Sequence, residues 1–214
     1  MDNLFIRFRY KDYPVNPPSH WNVLTYAAFE DAYEEKDVDA LTRSALRDST
    51  GSDLLKNRVT PSDKIAIIIE DLTRNSPKKL VLTALLKEFN DMEIPDRNIS
   101  IVISLGTHRK LNKQELEKGY GEENVSHYEF INHDCRADDL VPVGNLKTGT
   151  EVKINPRVFE ADFRIGIGSI FPHPMNGFGG GGKILFPGVA DFDSIMSRVH
   201  LRVRRRTNIF SGSR

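Results

Sequence analysis

The sequence predicts an α/β domain, a mostly parallel sheet flanked by helices, and three observations carry that expectation. Ile65-Ala66-Ile67-Ile68-Ile69 is a short, unbroken, β-branched run of the kind buried on both faces of a parallel sheet. Two further apolar runs follow, over residues 99–104 and 127–131. Segments of helical length and pattern separate them, as βαβ crossovers require.

The elements read as follows, in chain order. Tyr13-Pro14-Val15 and Pro17-Pro18 exclude helix from the opening stretch, which is expected to be extended. Residues 27–56 turn helical in composition, with acidic clusters at Glu30-Asp31 and Glu34-Glu35 forming a solvated face, and Ser49-Thr50-Gly51-Ser52 breaks them. After the first strand, Ser76 is placed to cap a helix with Pro77 at its first position. Leu80, Leu82, Leu85 and Leu86 give that helix an apolar stripe running to Phe89. Asn112 is placed to cap a second, shorter helix carrying Gln114, Glu115 and Glu117. The second half is richer in strands, over residues 151–155 and 162–168, and ends with a helix from Phe192. The expected division is a 1–60 extended and helical segment packing on the main domain, an α/β domain over 61–197, and a basic tail over 198–214.

Composition narrows the function. Thirty Lys plus Arg balance thirty Asp plus Glu, so electrostatic capture of nucleic acid or of an anionic membrane has no support. The tail arginines Arg202, Arg204, Arg205 and Arg206 read as a solvated terminus rather than an RNA-binding arm. No apolar run approaches a membrane span, the N-terminus does not read as a signal peptide, and the lone Cys135 has no disulfide partner. A reducing cytoplasm is the expected location. Cys135 lies in His133-Asp134-Cys135-Arg136, where the Arg136 charge would lower a thiol pKa, but with no second Cys a catalytic role is not the expectation.

Ligands of open parallel sheets bind beyond the carboxyl ends of the strands, so the residues just past each apolar run matter most. Those are Glu70-Asp71-Leu72-Thr73-Arg74, Gly106-Thr107-His108-Arg109, His133-Asp134 and Pro172-His173. Three of the six histidines fall at such positions. Plain structural roles also fit: Asp71 with Thr73 as a helix cap, Arg74 as a surface ion pair, His108 as a loop histidine. Gly179-Gly180-Gly181-Gly182-Lys183 is costly to order and suits a place where backbone passes close to a phosphate or cofactor. It is not a P-loop: Ile184 stands where a magnesium-binding Ser or Thr is required, and no strand precedes it.

Together, Asp71-Leu72-Thr73-Arg74, Gly106-Thr107-His108-Arg109, His133-Asp134 and His173-Pro174-x-x-Gly177-Phe178-Gly-Gly-Gly-Gly-Lys183-x-x-x-Pro187-Gly188 resemble the N-terminal domain of the nickel-dependent lactate racemase family. The resemblance spans residues 64–196. It implies a Rossmann-like N-terminal domain of a two-domain racemase, with the C-terminal domain absent from this stretch. It also implies a nickel pincer nucleotide, a pyridinium mononucleotide with two sulfur-bearing arms holding nickel, attached covalently to Lys183. His108 and His173 would be the paired acid and base acting on a small 2-hydroxy acid. Arg74 would grip the substrate carboxylate, Asp71 would orient a base or the cofactor, and Thr73 with Gly179, Gly180, Gly181 and Gly182 would contact the cofactor. His200 would complete the nickel coordination, although it lies 17 residues beyond Lys183 where the family spacing is usually 16. Asn75 replaces a usual proline and Gly179 a usual serine. Cofactor-biosynthesis proteins would be its partners. The alternative is a non-catalytic relative that binds a nucleotide, phosphate or protein through the Gly-rich loop.

Overall fold

The computed structural model describes residues 4–8, 11–22, 37–173 and 177–197. His200 and the arginine-rich tail, and the acidic clusters at 30–35, lie outside the described residues. The chain divides into two compact units, one ending at Asp37 and the other beginning at Val38. In the first, β1 (Phe5–Phe8) and β2 (Lys11–Pro14) form an antiparallel hairpin in place of helix, as the prolines dictate.

The second unit holds a four-stranded, all-parallel sheet made of β3 (Ile65–Glu70), β4 (Ile99–Ser104), β5 (Glu129–Asn132) and β8 (Phe163–Ile167), in the order β5-β4-β3-β8. Every residue of β3 is buried, as its unbroken apolar run anticipates for a central strand. Alternation assigns its side chains to two cores. Ile65, Ile67 and Ile69 meet α2 (Lys78–Asp91) through Leu82, Leu85, Leu86 and Phe89, and meet α3 (Lys113–Tyr120) through Leu116 and Tyr120. Ala66 and Ile68 face Val158 of α5 (Pro156–Glu160) and Val189 of the glycine-rich segment. Helix α1 (Val38–Arg47) lies along α2, where Arg47 pairs with Glu88 at 3.5 Å.

Several local expectations are met and several are corrected. Asn112 caps α3 in a full capping box with Glu115. The helical segment then breaks at Gly121, and a separate α4 (Glu122–His127) takes up His127, so the third strand begins at Glu129. Ser76 does not cap α2. Pro77 occupies the cap position, and the Ser76 hydroxyl donates to the buried Glu70 carboxylate. Leu80 leaves the apolar stripe and is 51% exposed. Residues 151–155 do form a strand, β7 (Glu151–Ile154), but it pairs with β6 (Val141–Asn145) in an antiparallel hairpin outside the parallel sheet. Residues 192–197 are helical, as expected.

Strand-end histidines do not all reach the cleft. His133 is 1% exposed, its backbone N–H donates to Ile103 and its Nε2 bonds the Ala190 carbonyl at 2.9 Å. A carbonyl only accepts, so Nε2 carries the proton and Nδ1, which has no hydrogen-bond partner among the described residues, is a bare lone pair. Burial pushes this imidazole below its usual pKa, against the opposing pull of the Ala190 carbonyl and of Asp134 and Asp191. Cys135 is likewise corrected: burial pushes its thiol up, outweighing Arg136, so it is no activated nucleophile. The Arg136 guanidinium lies over the Phe192 ring, 3.5 Å from its centroid.

Two measurements check this packing. Phe89→Ala should cost about 3–5 kcal/mol in urea unfolding, as for a fully buried aromatic, whereas Leu80→Ala should stay within about 0.5 kcal/mol. His133 binds its proton less readily when folded than the ordinary value of about 6.5 in the unfolded chain. Its contribution is therefore complete above that pH and is lost as pH falls below it. Thermal midpoints should drop between about pH 7 and 5 in the wild type, and the slope in that window should shrink in His133→Gln.

Candidate active site

Sheet order fixes where a site forms. From β3 the chain steps to β4 and then β5 on one side, and later returns to β8 on the other, so the direction of winding reverses between β3 and β8. Loops leaving these two strands diverge and open a crevice at their carboxyl ends. The crevice is a cleft of about 220 Å³ whose walls include Asp71 and Arg74 after β3, Ser104 to His108 at the end of β4, Phe171 and His173 after β8, and Gly179, Gly180, Lys183 and Gly188.

The loop after β3 is a turn closed by Asp71, whose Oδ1 accepts from the Thr73 backbone N–H at 3.1 Å and its hydroxyl at 2.6 Å. Neither residue caps α2, which begins at Lys78. The other oxygen, Oδ2, lies 2.5 Å from Nδ1 of His108. Asp71 is 7% exposed and His108 51%, so a buried carboxylate carries a solvent-facing imidazole. Burial alone would raise the Asp71 carboxyl, but the bonds from Thr73 and His108 outweigh it and hold its pKa below the usual carboxylate range. An ionised Asp71 takes the Nδ1 proton as donor, which leaves Nε2 of His108 as the basic nitrogen.

Arg74 is half-buried, its guanidinium over the Phe171 ring at 4.6 Å. Phe171 also meets the ring of His173, with centroids 6.3 Å apart. His173 stands on the short strand β9 (Pro172–His173), which pairs with β10 (Gly177–Phe178).

The glycine-rich segment closes the cleft by backbone contact. Gly180 has a left-handed φ of +75°, and a Cβ there would lie 2.5 Å from the Ser169 carbonyl oxygen. Gly188 is tighter, since a Cβ would sit 1.9 Å from the Ser104 hydroxyl and 2.1 Å from the Ile184 carbonyl oxygen. Ser104 donates to that Ile184 carbonyl at 3.0 Å, and the Gly106 N–H donates to the Gly188 carbonyl at 2.8 Å, so the segment lies directly on the end of β4. Lys183, in the turn Gly181–Ile184, reaches the cleft with its ammonium donating to the Phe178 carbonyl.

The structure thus gathers Asp71, Arg74, His108, His173, Gly179, Gly180 and Lys183 around one cleft. Thr73 is exposed and its donors are turned to Asp71, while Gly181 and Gly182 are exposed in the adjoining turn. Glu70 and Gly188, which stand in the strand-end and glycine-rich motifs, also line the site, while Ser104 and Phe171 belong to it without having been singled out from sequence. Among the described residues no cluster of three or more His, Cys, Asp or Glu side chains is placed to hold a metal, and no helix is long and apolar enough to cross a membrane.

Comparison with known proteins agrees with this geometry. The chain is 32% identical over 158 residues to the lactate racemase of Thermoanaerobacterium thermosaccharolyticum and 34% identical over 154 residues to that of Lactiplantibacillus plantarum. These alignments cover 73% and 72% of this chain but 37% and 36% of the relatives, so the chain spans little more than a third of their length. The structure of the T. thermosaccharolyticum lactate racemase apoprotein superposes with a TM-score of 0.74 at 27% identity, over 90% of this chain and 45% of that one. A Thermotoga maritima protein superposes with a TM-score of 0.62 at 26% identity, over 76% of this chain and 41% of that one. The family model for the lactate racemase N-terminal domain matches residues 9–212, and the chain belongs to that family.

Proposed function

We propose that this chain is the cofactor-binding domain of a racemase or epimerase of small 2-hydroxy acids, with a nickel pincer nucleotide attached to Lys183. The observation that carries the reading is the convergence of two histidines, an arginine and a lysine on one cleft, with one histidine backed by an ionised carboxylate.

The residues present fit such a group. Lys183 offers a primary amine at the cleft, and a Cβ at the neighbouring Gly181 or Gly182 would meet nothing within 4 Å, so the approach beside the amine is open. Lys183 would tether the nucleotide, with Gly179 and Gly180 beside it. His200, outside the described residues, remains the candidate for the nickel, and imidazole suits that metal. When bound, the group supplies a reversible hydride acceptor for the substrate carbon.

The protein's own residues handle the proton and the carboxylate. Arg74, backed by Phe171, pairs with the substrate carboxylate through its planar fork. His108, its Nδ1 held by Asp71, takes the hydroxyl proton of one enantiomer at Nε2. His173 does the same for the other enantiomer, whose hydroxyl is presented from the opposite side. A planar 2-keto acid can be re-reduced on either face; on inversion the histidine of the opposite side, protonated beforehand, gives the new hydroxyl its proton, and the two histidines recover their starting protonation states by exchange with solvent.

Co-expression with the cofactor-biosynthesis proteins should give a Lys183 peptide of increased mass and stoichiometric nickel. An unmodified Lys183 without nickel would refute the reading. In the loaded enzyme, Asp71→Asn should lower kcat for lactate racemisation by about a hundredfold or more, because the amide no longer fixes the His108 tautomer. Detection of unimpaired turnover in that variant would remove His108 from its assigned role.

A further inference from the structure

We propose that Glu70 is the positioning residue of this cleft: its buried carboxylate bolts the loop after β3 to the loop after β8, setting the separation of Asp71 and Arg74 from His173. The catalytic part of this inference rests on the racemase reading above, and the structural part stands without it.

Glu70 is the last residue of β3, and Ile69 is in register with Ile167 of β8, so Glu70 sits where the two strands part. It is only 7% exposed at the end of a strand that is otherwise apolar. A carboxylate in such a place costs several kcal/mol unless its oxygens are bonded. Among the described residues, the donors to its carboxylate lie in the two diverging loops. Oε2 accepts from the Ser169 backbone N–H at 2.9 Å and from the Ser169 hydroxyl at 2.9 Å. Oε1 accepts from the Ser169 hydroxyl at 3.2 Å and from the Ser76 hydroxyl. Both oxygens are occupied by donors, which makes Glu70 a poor general base although it borders the cleft.

Its neighbours extend the same bolt. Lys78 is 6% exposed, and its ammonium donates at 2.5 Å to the carbonyl of Arg74, fixing the end of the β3 loop to the start of α2. Burial lowers the Lys78 pKa, while the charges of Glu70 and Asp71 oppose that shift. At the cleft mouth the loops are tied again, Arg74 from one lying over Phe171 from the other. The Tyr120 hydroxyl donates to the Glu70 backbone carbonyl at 2.9 Å, so the residue is held at main chain as well as side chain. Each catalytic group of the proposed site that follows β3 or β8 is within four residues of a Glu70 contact: Asp71 and Arg74 near Ser76 or Glu70 itself, His173 near Ser169.

Glu70→Gln tests this with little change of volume. The amide offers an acceptor at one position only, so the Ser169 N–H or the Ser76 hydroxyl loses its partner. Hydrogen–deuterium exchange on the full chain should show the 71–77 and 168–173 segments opening about tenfold faster, one charge-assisted hydrogen bond's equivalent, with α3, α4 and β5 unchanged. Unchanged exchange at Ser169, or acceleration spread evenly over the chain, would overturn the proposal. Ser169→Ala serves the same comparison should a Glu70 variant fold poorly. In the loaded enzyme, kcat should fall and KM for lactate should rise with Lys183 still fully modified by mass, and adding Ser169→Ala to Glu70→Gln should cost little more. Fully additive losses, or a local opening that leaves kcat and KM untouched, would overturn the positioning role. Absence of turnover in every protein including the wild type would refute the racemase reading, and the exchange measurement would then decide the role of Glu70 alone.

Discussion

The reversal of winding between β3 and β8 is the constraint on which the site depends. A parallel sheet whose crossovers all turned one way would leave its carboxyl edge covered by successive loops running in one direction. Here the chain leaves β3 toward one face and comes back along β8 from the other, so the loops after these neighbouring strands separate. β3 must then be buried on both faces, and its unbroken isoleucine-rich run satisfies that demand. The same geometry exposes the backbone groups at the ends of the strands to whatever fills the crevice. Serine, carboxylate and glycine backbone line the crevice together with apolar side chains such as Leu105, Phe171 and Ile184.

Space constrains two points of the glycine-rich lining: between Ser104, Ile184 and Ser169 there is no volume for a Cβ at Gly188 or Gly180, whereas Gly181 and Gly182 face open space. Three hydrogen bonds hold the stretch that follows. Asn155 N–H donates to the Val189 carbonyl, Asp191 N–H to the Lys153 carbonyl, and His133 Nε2 to the Ala190 carbonyl. His133 thus contributes from behind, by holding the lining in place, rather than from within the cleft.

Much of this was legible in sequence, and the failures have physical causes. β3 and β4 were readable because burial on both faces writes an uninterrupted pattern, and the α3 cap because the Asn112 and Glu115 side chains and their backbone partners are local. Asp71, Arg74, His108 and His173 were readable as cleft residues because they follow strands, and Lys183 because it ends the glycine run. Ser76 was misassigned because the acceptor that captures it, Glu70, comes from an earlier strand, and a local capping rule cannot register that competitor. Leu80 matched a helical stripe by type, but its azimuth lies off the buried arc defined by Leu82, Leu85, Leu86 and Phe89. His133 shares residue type and strand-end position with His108, and only the packing of the 187–191 segment over it separates a structural histidine from a site one.

A net charge of zero conceals a layered arrangement at the cleft. Two carboxylates, Glu70 and Asp71, lie at the base, each less than a tenth exposed. Lys78 is buried beside them, and Arg74, His108 and Lys183 stand around the cleft. The order follows from solvation. A carboxylate is tolerated in the interior when serine, threonine and backbone donors saturate it, as they do for both residues here. A saturated buried carboxylate is then a fixed negative charge that can anchor cationic or proton-bearing groups at the surface without its own rotamer changing. His108 illustrates the consequence: half its side chain is exposed, yet its orientation is set by the buried Asp71 beneath it. The cleft therefore presents cationic and protonatable groups to an anionic ligand while their positions are determined one layer below. Removing a base-layer carboxylate would disturb geometry more than it would change the charge that a ligand meets.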